Sequence, residues 1–229
     1  MAVNQPPGLS RRAASEALGT AFLLAAIVGS GIMGQQLAGG NVAIALLANT
    51  LATGAALVAL ILTFGPISGA HFNPVVTILA AIRCDAPWSD VPVYVIAQVI
   101  GAFAGVAAAH AMFGMSLFTA SEHARAGLNQ VTAEGIATFG LLAVIVLCAR
   151  HRSAAVPFAV GAYITSAIWF TSSTSFANPA VTLARSMTNT FAGIRPADAT
   201  GFLIGEAAGL LAAAAILHWL APPERGARP

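Results

Sequence analysis

Apolar residues run almost unbroken through six stretches of this chain, with polar residues gathered in the gaps between them. The stretches are roughly 13–33, 42–64, 91–113, 131–149, 154–171 and 200–220. A helix crosses a bilayer with about 20 apolar residues, so the pattern predicts six spans. Two shorter apolar segments, about 73–82 and 178–187, are half a span each. Each follows a Ser/Gly/Thr-rich stretch and opens with Asn-Pro. Asn is a strong N-cap, and Pro suits the first helical position because its missing N–H costs nothing there. Half-helices at membrane depth are tolerated only when buried in protein or lining a wet cavity. The expected fold class is therefore an all-α membrane protein with six transmembrane helices and two re-entrant half-helices.

The chain also repeats itself. Ser15-Glu16-Ala17-Leu18-Gly19-Thr20 resembles Ala133-Glu134-Gly135-Ile136-Ala137-Thr138, at an offset of 134 − 16 = 118. His71-Phe72-Asn73-Pro74-Val75-Val76-Thr77 resembles Phe176-Ala177-Asn178-Pro179-Ala180-Val181-Thr182, at 178 − 73 = 105. Gln98 with Gly101 resembles Glu206 with Gly209, at 206 − 98 = 108. Each half reads as span, span, half-helix, span. Three spans per half is odd, so the second half is inverted relative to the first, and matching elements face each other at the midplane. One domain, 1–229, is expected, with repeats at about 13–113 and 131–220 and short tails at 1–12 and 221–229.

Composition agrees with a membrane protein. Of 229 residues 58% are hydrophobic and only 8% charged, against about 25% charged in soluble domains. The mean hydropathy is +0.82. All ten basic residues are arginines and they are scattered, which argues against a nucleic-acid surface. Arg11, Arg12, Arg83, Arg150, Arg152, Arg225 and Arg228 fall on one side of the predicted spans, and Arg125 and Arg195 on the other. The positive-inside rule then puts both termini in the cytoplasm. The first apolar run reads as a span that stays, not a cleaved signal. Cys84 and Cys148 lack metal-ligand spacing and read as free thiols. His110, His123, His151 and His218 sit near span ends and read as interfacial; Trp88, Trp169 and Trp219 fit an aromatic belt.

Two half-helix N-termini meeting at mid-membrane would make an electropositive centre that repels cations. Asn73 and Asn178 would cap their helices and present amide donors to whatever passes, interrupting a proton wire. The pattern Ser68-Gly69-Ala70-His71-Phe72-Asn73-Pro74-Val75-Val76-Thr77, paired with Asn178-Pro179-Ala180-Val181-Thr182, resembles the aquaporin and aquaglyceroporin (major intrinsic protein) family. Glu16-x-x-Gly19-Thr20 and Gln98-x-x-Gly101 are similar to that family too, and the resemblance covers roughly residues 13–220. It implies a passive channel in each protomer for small neutral solutes, in a lipid bilayer, usually as a homotetramer. It implies no cofactor, no metal, no nucleic-acid partner and no catalytic residue. The pore centre it marks is Asn73, Pro74, Val75, Asn178, Pro179 and Ala180.

Two departures stand out. The first motif carries Val75 in place of the usual Ala. Typical members also place an arginine three residues after the second Asn, where this chain has Val181. The nearest arginine, Arg185, falls one helical turn on, toward the outside of the bundle, and is not a simple replacement. Spacing from the two Asn residues assigns the other filter positions: Thr53, Ser166 and Ser175. The expected filter of Thr53, Ser166, Ser175 and Val181 is wide, with no bulky aromatic and no cation. It suits water, glycerol-like polyols and, as in bacterial members lacking that arginine, trivalent metalloid hydroxides such as arsenite.

Glu16 and Glu134 admit two readings, a proton relay or acceptors for backbone N–H groups freed ahead of the half-helices. The second is preferred because such loops need acceptors. His71 reads as a pore-lining residue or a pH gate. The main alternative function is an ion-coupled secondary transporter, which would keep a titratable group near the midplane. An intramembrane serine hydrolase would need a base and an orienting acid beside Ser68 or Ser172–Ser175, and His71 has no such partner in the sequence.

Overall fold

The predicted spans become helices because a bilayer offers no partner for backbone N–H and C=O groups. The computed structural model describes residues 7–222. Arg225 and Arg228, with positions 1–6 and 223–229 of the expected tails, lie outside the described residues. The elements run α1 (Leu9–Leu37), α2 (Val42–Ser68), α3 (Pro74–Ile82), α4 (Val91–Met112), α5 (Leu128–Arg152), α6 (Val156–Phe170), α7 (Pro179–Arg185) and α8 (Pro196–Leu220). No strand occurs among the described residues. Helices α1, α2, α4, α5 and α8 have 22 to 29 residues, which at 1.5 Å per residue is ample for a hydrocarbon core of about 30 Å.

Five apolar runs are long enough to cross, because α5 and α6 form one run over Leu128–Phe170. A 3-10 turn at Ser153–Ala155 divides it, and Pro157 opens α6 in its first turn. The six expected spans are thus present, with α6 the shortest at 15 residues. Helix ends move outward from the hydrophobic pattern. The first helix starts at Leu9, and α2 continues through Pro66 to Ser68 before Gly69 stops it at φ +88°.

The two halves are alike. Helix α1 packs along α4 as α5 packs along α8; α2 meets α6, and α3 meets α7. Both long crossings depend on glycine. A Cβ at Gly101 or Gly105 would overlap the carbonyl oxygen of Ala17 or Ala21 in α1. One at Gly205 or Gly209 would do the same to Val131 or Gly135 in α5. Close backbone approach is how membrane helices gain packing where lipid is as apolar as leucine.

Polar contacts mark the two ends. At one, Arg12 pairs with Asp90 at 2.5 Å, Arg83 Nη1 donates to Ala221 O (3.2 Å) and Arg150 Nη1 to Pro222 O (3.4 Å). At the other, Arg195 pairs with Asp198 at 2.9 Å. Trp88 and Trp219 are exposed near the first end and Trp169 near the second. His110 departs from the interfacial expectation. It is fully buried, with Nδ1 against the carbonyl oxygens of Ser116 and Leu117 (2.8 and 2.9 Å) and Nε2 against Thr188 Oγ1 (2.7 Å). The chain after α4 folds back over the helix end and covers it. Cys84 is exposed and Cys148 half-buried, both unpaired.

Replacing Gly105 with Val should force α1 and α4 apart at a cost of about 1–3 kcal/mol. Gly65 on α2 has nothing within 4 Å of an added Cβ. Thermal unfolding of the detergent-solubilised protein should therefore show a lowered midpoint for Gly105→Val and none for Gly65→Ala.

Candidate functional site

Each half-helix is reached through a non-helical segment, 69–73 before α3 and 171–178 before α7. Ala70 and Phe72 before α3, and Thr174, Ser175 and Ala177 before α7, all have φ between 47° and 62°. Such left-handed residues cost about 1–2 kcal/mol each without glycine. Buried carboxylates hold the loops. Glu16 accepts from His71 N (3.0 Å) and Phe72 N (2.7 Å), and Glu134 from Phe176 N (2.9 Å) and Ala177 N (2.7 Å). Glu206, whose role the sequence leaves open, accepts from Asn178 N (3.0 Å) and Thr182 Oγ1 (2.7 Å). Its counterpart Gln98 donates to Glu16 (2.8 Å) and Thr77 Oγ1 (2.9 Å). All four side chains are completely buried.

The loops deliver Asn73 and Asn178 to the same point. Asn73 Oδ1 caps α3 at Val75 N (3.0 Å), and Asn178 Oδ1 caps α7 at Ala180 N (3.0 Å) and Val181 N (3.3 Å). Each amide then reaches across to the other half. Asn73 Nδ2 donates to Ala177 O (2.7 Å) and Asn178 Nδ2 to Phe72 O (2.8 Å). An amide NH2 carries two hydrogens, so each Asn keeps one for the space beside it. Pro74 and Pro179 open the half-helices. Val75 is buried among Leu142, Leu210 and Leu217, so its extra methyls pack toward α5 and α8. Ala180 is fully buried.

Beside this pair runs a cavity of about 320 Å³. Its wall extends from Arg83 and Asp85 at one end, past Asn73 and Asn178, to Thr174 and Arg185 at the other. The polar wall comes from the re-entrant segments with Asn49 and Thr53; the apolar wall comes from α1, α2, α5 and α6. Asp85 is the one carboxylate on it among the described residues, 3.6 Å from Arg83 Nε. His71 lies on the wall, with Nδ1 3.1 Å from Thr77 Oγ1. It also borders a side cavity of about 190 Å³ lined by Arg12, Asp90 and Tyr94.

Of the four expected filter residues, Thr53, Ser175 and Val181 face the cavity. The hydroxyls of Thr53 and Ser175 have no protein partner. Ser166 does not belong with them. It is exposed on the outside of α6, its hydroxyl turned back to Tyr163 O (2.8 Å). The inward stripe of α6 is Val156, Val160, Ile164 and Ile168, at four-residue spacing. Ser166 lies two residues, about 200°, from Ile164. The count from Asn178 crosses the non-helical stretch 171–178, where a fixed offset carries no helical phase.

Two further side chains stand on the outer cavity wall beside these filter positions. Phe176 and Arg185 are both on the wall and both buried, at 5% and 6% exposure. The Arg185 guanidinium lies 3.4 Å over the Phe176 ring, and Arg125 lies 5.2 Å from it. Arg185 thus points into the bundle, not toward its outside. The one-turn spacing from Val181 is a signal for this that was visible in the sequence. Arg125 comes from the segment between α4 and α5 and carries no such signal. Burial lowers its pKa to about 10, so it stays charged at neutral pH.

A six-span helical protein with two half-helices meeting beside a lined cavity is a membrane channel in its architecture. The chain belongs to the major intrinsic protein family: the profile of that family matches residues 4–173. It is 54% identical over 217 residues to aquaglyceroporin AqpS of Rhizobium meliloti (strain 1021), covering 95% of this chain and 93% of that one. It is 35% identical to aquaporin NIP6-1 of Arabidopsis thaliana, over 65% of this chain and 49% of that protein. The X-ray structure of the aquaglyceroporin from Plasmodium falciparum shares the fold, with a TM-score of 0.71 at 19% identity over 92% of this chain and 96% of that one.

Glu134→Ala should strand the N–H groups of Phe176 and Ala177, each costing about 1–3 kcal/mol. Glu134→Gln, which keeps one acceptor, should lose less. Thermal unfolding in detergent should rank the variants wild type, Gln, Ala.

Proposed function

We infer that this chain is a passive transmembrane channel for water and glycerol-like polyols. The observation that carries the reading is the cavity: it passes the paired Asn amides from one end of the bundle to the other. A polyol has hydroxyls on one side and carbon on the other. The wall matches it, with Asn73, Asn178, Thr53 and Ser175 against the aliphatic stripe of α6. Val181, in place of an arginine at the third residue after Asn178, leaves that level open to solutes larger than water. Trivalent metalloid hydroxides such as arsenite have the same trihydroxy form and belong to the same reading, as does the name aquaglyceroporin carried by the 54% identical relative.

We read the protein as multi-pass in a bacterial inner membrane with both termini cytoplasmic. Arg11, Arg12, Arg83, Arg150 and Arg152 gather at one end against Arg125 and Arg195 at the other, which supports that orientation. Pore centre, filter (Thr53, Ser175 and Val181) and loop anchors (Glu16 and Glu134) are assigned to the residues described above, and a homotetramer is assigned on the family. Apolar side chains such as Phe22, Ile96, Ile100 and Leu211 remain exposed for lipid or neighbouring protomers. An ion-coupled transporter is the weaker reading. Glu16 and Glu134 take backbone N–H groups on both oxygens, Glu206 takes Asn178 N and Thr182 Oγ1 on Oε1, and none of the three lines the cavity.

Stopped-flow light scattering on proteoliposomes tests this. Glycerol and water should pass without an ion gradient, and Val181→Arg should slow glycerol by about tenfold or more, the scale of one lost or blocked solute contact. Saturable, proton-dependent uptake would sink the channel reading.

A further inference from the structure

Arg185 is an unusual cation. It sits 6% exposed, on the outer part of the cavity wall, with no carboxylate within ion-pair distance among the described residues. Its Nε donates to Ala192 O, and its two terminal nitrogens have no protein acceptor among the described residues. A buried charge left without a partner is costly. Yet its placement is firm. Its guanidinium carbon lies 3.4 Å over Phe176, whose ring is wedged edge-on against the fully buried Phe202 at 4.8 Å. Arg125 stands 5.2 Å from the same ring, with Nε on Gly193 O (2.8 Å) and Nη1 on Ser173 O and Thr174 Oγ1 (both 3.2 Å). Two cations thus share one aromatic plate, and only Arg185 borders the cavity.

The arrangement has a direct electrostatic consequence. Arg185 lies four positions beyond Val181, about 6 Å along α7. Any cation moving along the cavity must pass this charge where surrounding water is scarce and screening weak. Resting on the channel reading above, we propose that Arg185, held on Phe176 and reinforced by Arg125, is the charge-selecting residue of this pore. The cationic group is present, displaced one turn outward from Val181, so the level of Val181 can be wide without the pore leaking protons or metal ions. The role of Arg125 is positional: it sets the field and locks the Ser173–Thr174 backbone, and touches no solute.

Proteoliposomes carrying wild type, Arg185→Gln, Arg185→Lys, Arg125→Gln and the double variant Arg185→Gln/Val181→Arg would be compared. Glycerol flux would be read by light scattering and proton and potassium flux by an entrapped pH dye with and without valinomycin. The ratio of glycerol to proton flux should fall by about tenfold or more in Arg185→Gln, by about threefold in Arg125→Gln, and little in Arg185→Lys. The double variant should recover ion tightness, because a cation again stands on the path; a role in folding alone would not predict that recovery. An Arg185→Gln channel that passes glycerol and stays ion-tight overturns the proposal. If that variant gives no folded protein, Arg125→Gln decides alone: an unchanged ratio overturns it. A wild type that passes neither glycerol nor water defeats the channel reading itself, so the two failures are told apart.

Discussion

Two broken helices can sit in the middle of this bundle because buried carboxylates accept the N–H groups their entry loops leave free. Everything at the centre follows from that. Glu16 and Glu134 each clamp two consecutive amides of a left-handed loop, and Glu206 takes the next one along in the second half. In lipid, those N–H groups would otherwise cost several kcal/mol each. Once the loops are fixed, Asn73 and Asn178 have one position, and the cavity has a polar wall. The glycines of α4 and α8 serve the same end. They bring those helices within reach of α1 and α5, where two of the three glutamates stand.

Much of the architecture was legible in the sequence because membrane physics is local and periodic. Six apolar runs and two Asn-Pro half-runs map onto eight helices with small shifts at the ends. The shifts occur where helices continue into polar ground, as α2 does through Pro66. Glu16 and Glu134 were legible as loop acceptors because non-helical backbone at membrane depth needs acceptors for its freed N–H groups. Glu206 was not, since its partner Gln98 is a donor in the same place and binds Glu16 in place of a backbone amide.

Three of the four filter positions were legible by counting from the two Asn residues: Thr53, Ser175 and Val181 line the cavity. Val181 is the third residue of α7 and Ser175 stands three residues before Asn178, and both face the cavity. Ser166 was reached by counting through the irregular stretch 171–178, and α6 turned it outward. Arg125 was invisible for a different reason. It enters from the segment between α4 and α5, and nothing in its neighbours announces that this segment folds down over Phe176. The outer cavity is therefore built by tertiary contacts that no spacing rule encodes, while the centre is built by a repeat that spacing encodes well.

The crossed amides of Asn73 and Asn178 also say something about how the molecule comes into being. Each bond joins residues more than a hundred positions apart, one from each repeat. At synthesis rates of roughly 5–20 residues per second, the first half waits several seconds in the bilayer before its counterpart exists. During that interval the first half-helix has its cap and its Glu16 anchor but no opposing half. Neither repeat owns the constriction. The narrow centre is created at the moment the two halves dock, so an incompletely made chain holds half a lining and no finished pore.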